Sequence, residues 1–233
     1  MVEALFLLIA GFLGGAVNSL AGGGSFIVFP ALLFVGVPPV VANASNTFAA
    51  LPGYASGAFG YWHAMSKYRD RLALYTVIAL IFGYVGAELL LVVTDAQFSL
   101  VVPWLMLFAV LLFAFGGQLN AFVAAQAGGR RGAKAAGTVL LLAFLATAGL
   151  RDIHAMNGLK LYVSSVVAVV AVARFAFSGS IDWYHGSIAL VGVTTGGYLA
   201  ARNAHRVPTG LIRAAVIVYG LFMTGYFFWH AYA

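Results

Sequence analysis

Long apolar runs recur along the whole chain and constrain its fold more than any other feature. A helix needs about 20 mostly apolar residues to cross a bilayer. Only 8% of the residues are charged, so a soluble fold could not cover its surface. The sequence therefore predicts an all-α, polytopic transmembrane helical bundle. Its expected spans are residues 40–62, 72–94, 98–118, 157–178, 184–202 and 211–232, with 2–20 as a seventh.

Residues and motifs that the sequence lacks exclude several classes of function. Cysteine is missing, which excludes disulfides and thiolate metal sites. No HExxH spacing, phosphate-binding glycine loop or nucleophile elbow occurs, so we expect no cofactor, no metal and no enzyme activity. The formal charge of +6 comes from basic residues in short gaps between apolar runs, which indicates membrane orientation rather than a nucleic-acid partner. The expected partners are the lipid bilayer and a small anionic substrate; a homo-oligomer stays open.

The basic gaps also indicate an internal repeat. Placing them in the cytoplasm puts every Lys and Arg except Arg174 on the inner side. The letters ASNT at 44–47 resemble AMNG at 155–158, and GYVGA at 83–87 resembles GYLAA at 197–201. One block begins outside and the other inside, which is typical of inverted-repeat transporters. We therefore predict two inverted repeats, 1–118 and 136–233, joined by a basic cytoplasmic linker, 119–135, in the cell inner membrane.

A glycine-rich break follows the first apolar run, in the stretch GFLGGAVNSLAGGGSFIVFP at 11–30. Three consecutive glycines, Gly22, Gly23 and Gly24, disfavour helix and predict an unwound turn between two half-helices. Ser25 is expected to cap the second half-helix, 25–35, which is too short to span. Its free N–H groups, with Asn18 nearby, would suit an anion. Tight helix packing around an ordinary loop is the alternative, and the residues alone leave both open.

Several polar residues fall inside the predicted spans, where they should face protein or water. Asn43, Asn46 and Thr47 open one block, and Asn157 and Lys160 open the other; all five are candidates for binding the substrate. Alternatively, the Lys160 side chain extends to the cytoplasmic surface and does not bind the substrate. Glu88 and Arg174 are candidates for ion coupling or for an ion pair with each other. Tyr and Trp residues near the span ends predict interfacial belts, at Tyr54, Tyr61, Trp62, Trp183, Tyr184, Trp229 and Tyr232.

The chain resembles the sulfite exporter TauE/SafE family. The similar parts are AGFLGGAVNSLAGGGSFIVFPALLFVGVPPVVANASNT in the first half and LRDIHAMNGLK, FSGSIDW and GGYLAAR in the second. The resemblance implies a multi-span transporter of sulfite, sulfonates or related organic anions. It also implies that the glycine-rich hairpins and the Asn-bearing helices after them line the substrate path.

The second half departs from the family pattern. A second glycine-rich hairpin is expected before LRDIHAMNGLK, but only GTVLLLAFLATAG stands there. The short run 138–150 is therefore predicted to enter and leave on one face, as a truncated hairpin. The leading functional hypothesis is a secondary transporter, exporting sulfite, a sulfonate or an organic carboxylate. A channel-like anion pathway, a non-transporting membrane subunit and a membrane-embedded enzyme are the alternatives.

Overall fold

The computed structural model describes residues 1–20, 22–66, 69–126, 153–202 and 209–232, and these residues fold into helices and short connections. The all-α prediction is confirmed. The predicted short run 138–150 lies outside the described residues, as does most of the predicted linker. The helices are α1 Val2–Leu20, α2 Ser25–Phe34, α3 Pro39–Gly60, α4 Trp62–Met65, α5 Arg69–Val92, α6 Asp95–Gln126, α7 Ile153–Phe177, α8 Trp183–Arg202 and α9 Thr209–Tyr232.

Among the described residues, five helices are long and apolar enough to cross a membrane: α1, α5, α6, α7 and α9. The predicted spans 40–62 and 184–202 do form helices, α3 and α8, but their composition is less apolar. Both pack against several neighbours in the bundle, α3 against α2, α6, α7 and α8. A helix that contacts protein rather than lipid can carry more polar and small residues. The short helix α4 was not predicted.

Helices α1 and α8 form the most extensive helix pair of the described chain. They run parallel, because Gly192 packs on the carbonyl of Leu8 and Gly196 on that of Phe12. Gly11 and Gly15 of α1 lie against the α8 backbone in return. Glycine at the crossing lets two backbones approach within van der Waals contact, a common device in membrane helices. Gly11 and Gly15 are therefore positions where the α1 and α8 backbones meet directly.

The helix contacts have the symmetry that the predicted repeat requires. In the predicted repeat, α3, α5 and α6 correspond to α7, α8 and α9. Swapping the two halves leaves the contacts α3–α7 and α6–α9 unchanged and turns the contact α3–α8 into the contact α5–α7. All four of these helix contacts are present in the structure. Helices α3 and α7 are antiparallel, since Gly57 packs on Leu161 and Gly158 on Tyr61. This pattern supports the inverted repeat, which remains a prediction because the segment equivalent to α1–α2 would fall in 127–152.

Polar contacts fix the helix ends near the predicted outer face. Thr94 and Gln97 cap the start of α6 reciprocally, with N···O distances of 3.1 and 3.3 Å. The Val40 N–H donates to Asp95 Oδ1 at 2.9 Å, which joins the starts of α3 and α6. The Asp182 N–H donates to Ser45 Oγ at 3.0 Å and joins the loop before α8 to α3.

Asp182 also caps α8 from outside the helix. Its carboxylate accepts the His185 N–H at 3.0 Å and lies 2.7 Å from His185 Nδ1. Burial raises the pKa of Asp182, but the hydrogen bonds from His185 and the Tyr184 backbone outweigh it, so the pKa lies below its ordinary value. The ionised form is therefore favoured by folding.

Replacing this cap should lower stability in a pH-dependent way. We expect Asp182→Ala to lower the melting temperature at pH 7 by about 2–4 °C, the effect of losing a helix cap. A depressed folded-state pKa adds stability above the ordinary pKa of about 4, and this is lost as the pH falls through the folded-state value. The gap between the melting curves of the two proteins should thus narrow towards pH 3. Equal melting temperatures of the two proteins at pH 7 would contradict the role of Asp182 as the cap of α8.

Candidate functional site

The glycine-rich segment forms the predicted break between two half-helices. Helix α1 ends where the Gly22 N–H donates to the carbonyls of Val17 and Asn18, at 3.1 and 3.2 Å. Gly22 and Gly23 have φ values of +81° and +86°, a region that side-chain-bearing residues rarely adopt. The chain then reverses, and Gly24 packs on the backbone of Gly14 as α2 begins. The consecutive glycines are therefore required by backbone conformation and by close approach.

The predicted capping role of Ser25 is wrong. Gly24 occupies the capping position, and α2 has no side-chain cap hydrogen bond. Ser25 is the first helical residue, one position too late, because a cap must stand just before the helix to reach its first N–H groups. Within the described chain, the N–H groups of Gly23, Gly24 and Ser25 have no hydrogen-bond partner.

A cavity of about 330 Å³ lies between α1, α2, α3 and α6, directly at this break. On α3, three of its lining residues, Asn43, Asn46 and Tyr54, share one helical face. Six of its lining residues are polar or glycine: Asn18, Gly23, Ser25, Asn43, Asn46 and Tyr54. The rest are apolar and belong to α2 and α6: Phe26, Phe29, Phe98, Val102, Leu105, Met106 and Ala109.

The polar side chains of this cavity are uncommitted. Among the described residues, the amides of Asn18, Asn43 and Asn46 donate no hydrogen bond to the protein, and neither do the hydroxyls of Ser25 and Tyr54. None of the Asn and Tyr atoms in this set is completely buried without a partner. Uncommitted donors that converge on one space are what a ligand needs for orientation. The lining carries no charged side chain.

Much of the apolar side of the cavity is held by packing between side chains. Phe29 and Phe98 meet edge to face, with ring centroids 6.4 Å apart, and Phe26 meets Phe113 in the same way at 6.4 Å. Val102 and Met106 are 3% and 6% exposed, so their positions are fixed by neighbours. The part of the cavity formed by these phenylalanines, Val102 and Met106 is therefore shaped by contacts within the protein.

The profile of the sulfite exporter TauE/SafE family matches residues 7–227, nearly the whole chain. The chain belongs to this family. It is similar to a probable membrane transporter protein, ORF9, of Sinorhizobium sp, with 25% identity over 91% of this chain and 87% of the relative. A probable membrane transporter protein of Haemophilus influenzae is 24% identical, over 94% of this chain and 91% of its own. A third relative, the probable membrane transporter protein YfcA of Escherichia coli K12, is 25% identical over 96% of this chain and 90% of its own length. No solved structure matches.

Five of the predicted binding residues of this TauE/SafE family member line one cavity: Asn18, Gly23, Ser25, Asn43 and Asn46. Gly22 and Gly24 shape the turn but do not line it. The hydroxyl of Thr47 donates to the Asn43 carbonyl at 2.9 Å instead. Lys160 lies half-buried in α7 outside the cavity lining. Asn157 belongs to α7, but its side chain is outside the described part of the chain.

Glu88 and Arg174 form the ion pair that the sequence left open. Arg174 Nε and Nη2 donate to the two carboxylate oxygens of Glu88, at 2.5 and 3.2 Å. The side chains of the pair are about one-third exposed, at 30% and 33%. The pair joins α5 to α7 near the ends of both helices, and neither side chain lines the cavity. A charge near lipid is satisfied by pairing in this way.

Tyr54 is the binding candidate that the sequence pattern missed. The sequence placed it in an interfacial belt; in the structure it lies partly buried in α3 and lines the cavity. The signal was the spacing of 43, 46 and 54 on one helical face, which becomes informative once that face is known to meet a cavity. Five of the six other predicted belt residues are exposed, Trp62, Trp183, Tyr184, Trp229 and Tyr232, and Tyr61 is partly buried.

Proposed function

We propose that this family member is a secondary transporter of a small anion and that the cavity at the glycine break is its substrate site. The observation that carries the proposal is the set of uncommitted, uncharged hydrogen-bond donors around that cavity. Neutral donors and free helix N–H groups stabilise an anion without holding it as tightly as a buried cation would. A transporter needs that balance, since its substrate must also leave.

A larger cavity between α1, α2 and α9 is a poorer candidate for the substrate site. It measures about 620 Å³, but its lining is apolar except for the hydroxyl of Tyr219. Burying an anion there would cost its hydration with almost no hydrogen bond in return. The family and the names of the three relatives agree with transport. A helical bundle fits an inner membrane, because outer-membrane spans are mostly β-barrels.

Transport of a defined anion by the purified protein tests the proposal. Proteoliposomes loaded with sulfite, a sulfonate or a carboxylate should release at least one of them faster than protein-free vesicles do. Saturation of the rate at rising substrate concentration supports a transporter, whereas a rate that never saturates favours the channel alternative. Rates equal to those of empty vesicles for every anion, from folded protein, would overturn the proposal.

A further inference from the structure

We infer that Arg213 is a positioning residue for transport. It holds the Phe113 ring against Phe26, and this ring pair closes the end of the cavity that lies towards the predicted cytoplasmic face. The inference rests on the proposed function and adds a closing contact to that site. Neither Arg213 nor Phe113 lines the cavity itself.

Phe113 continues the face of α6 that lines the cavity. The lining residues of α6 follow one another at helical spacing and end at Ala109. Phe113 comes four residues later, so it lies on the same face and one turn closer to the predicted cytoplasmic side. Its ring meets the ring of Phe26, a lining residue of α2, edge to face with the centroids 6.4 Å apart. The ring pair therefore stands where the cavity ends.

The ring pair also lies next to the glycine break. A β-carbon added at Gly22 would lie 3.8 Å from Phe113 Cε2. One added at Gly23 would lie 3.1 Å from Phe26 Cδ2 and 3.4 Å from Val216 of α9. The rings therefore occupy the space beside the turn that the glycines leave open, between α2, α6 and α9.

Arg213, near the start of α9, contacts both the backbone and the ring of Phe113. Its Nη2 donates to the Phe113 carbonyl at 2.8 Å and, at a longer 3.4 Å, to the Ala114 carbonyl. Its guanidinium carbon lies 5.7 Å from the centre of the Phe113 ring, within the range in which a cation is attracted to an aromatic face. A single side chain of α9 therefore fixes the position of Phe113 on α6.

This contact is suited to break and re-form. A transporter opens its site to the two sides of the membrane in turn, so the closed end must be able to open. Arg213 is exposed, and water can replace its hydrogen bonds when the contact breaks. Movement of α9 relative to α6 would thus release Phe113 and open the cavity towards the cytoplasm.

The chain has no cysteine, so a single Ala109→Cys reports access to this end of the cavity. Inside-out vesicles that hold this variant are treated with a membrane-impermeant methanethiosulfonate, and the labelling rate is measured. Adding Arg213→Gln or Phe113→Ala should raise that rate roughly three- to tenfold, because the closed state loses its hydrogen bond or its ring contact. Arg202→Gln is the matched control: Arg202 is exposed at the end of α8, and its loss should change the rate less than about twofold.

If Arg213 acts through Phe113, the two changes are not additive, and Arg213→Gln added to Phe113→Ala should raise labelling no further. Phe26→Ala removes the other ring of the pair and replaces Phe113→Ala if that variant does not fold. An unchanged rate in Arg213→Gln, an additive double variant, or the same increase with Arg202→Gln would overturn the inference. Labelling needs no transport, so the expected rates without anion flux in proteoliposomes would overturn the proposed function and, with it, the role of Arg213 in transport.

Discussion

Gly15→Leu is expected to abolish folding of the bundle. A β-carbon added at Gly15 would collide with the backbone carbonyl of Val193, and backbone cannot move aside as a flexible side chain can. Helices α1 and α8 would have to separate, and their contact is the most extensive helix pair in the described chain. We expect a loss of about 4 kcal/mol or more, which is beyond an ordinary overpacking effect.

The measurement is the yield of monodisperse protein in detergent, together with its melting temperature. Gly86→Leu is the matched control, because Gly86 is exposed in the middle of α5 and an added β-carbon there meets nothing within 4 Å. It should be purified in near-normal yield. Normal yield and melting temperature for Gly15→Leu would show that the α1–α8 contact does not hold the bundle together.

Asn46→Ala is expected to cause the largest loss of function with an intact fold. Asn46 is 7% exposed, and its amide has no protein partner among the described residues, so its hydrogen-bonding capacity is left for a ligand. A hydrogen bond to a charged group contributes about 1.5–3 kcal/mol, which corresponds to a roughly ten- to hundredfold weaker substrate affinity. Combining it with Asn43→Ala should reduce flux to the level of protein-free vesicles.

Thr47→Val is the comparison that makes this prediction specific. Thr47 follows Asn46 in α3, but its hydroxyl donates a hydrogen bond to the Asn43 carbonyl. Its replacement tests whether any change in polarity on this helix disturbs transport. Substrate affinity is measured by thermal shift and flux by proteoliposome efflux, for all variants. If Thr47→Val loses as much affinity as Asn46→Ala, or if Asn46→Ala binds normally, the cavity is not the substrate site.

The α1–α2 break was predictable because its cause is local. Three glycines in sequence disfavour helix whatever surrounds them, and the structure has its break there, with positive φ at Gly22 and Gly23. The helix-forming runs were predictable for the same kind of reason, since apolar length decides whether a helix can cross lipid. The capping role of Ser25 failed because one residue of register decides which side chain reaches the free N–H groups.

The sequence by itself determined that this chain is a helical membrane bundle with a glycine-broken hairpin and polar residues in its spans. Only the tertiary structure decided which of those residues meet. Asn18, Asn43 and Asn46 come from two helices, and their convergence depends on how α1, α2 and α3 pack. Helix α6 is apolar all round, so no periodicity could separate Val102, in the cavity, from Val101 beside it. Hydrophobic periodicity identifies the buried face of a helix only where the buried and exposed sides differ in polarity. In a membrane both sides of such a helix are apolar.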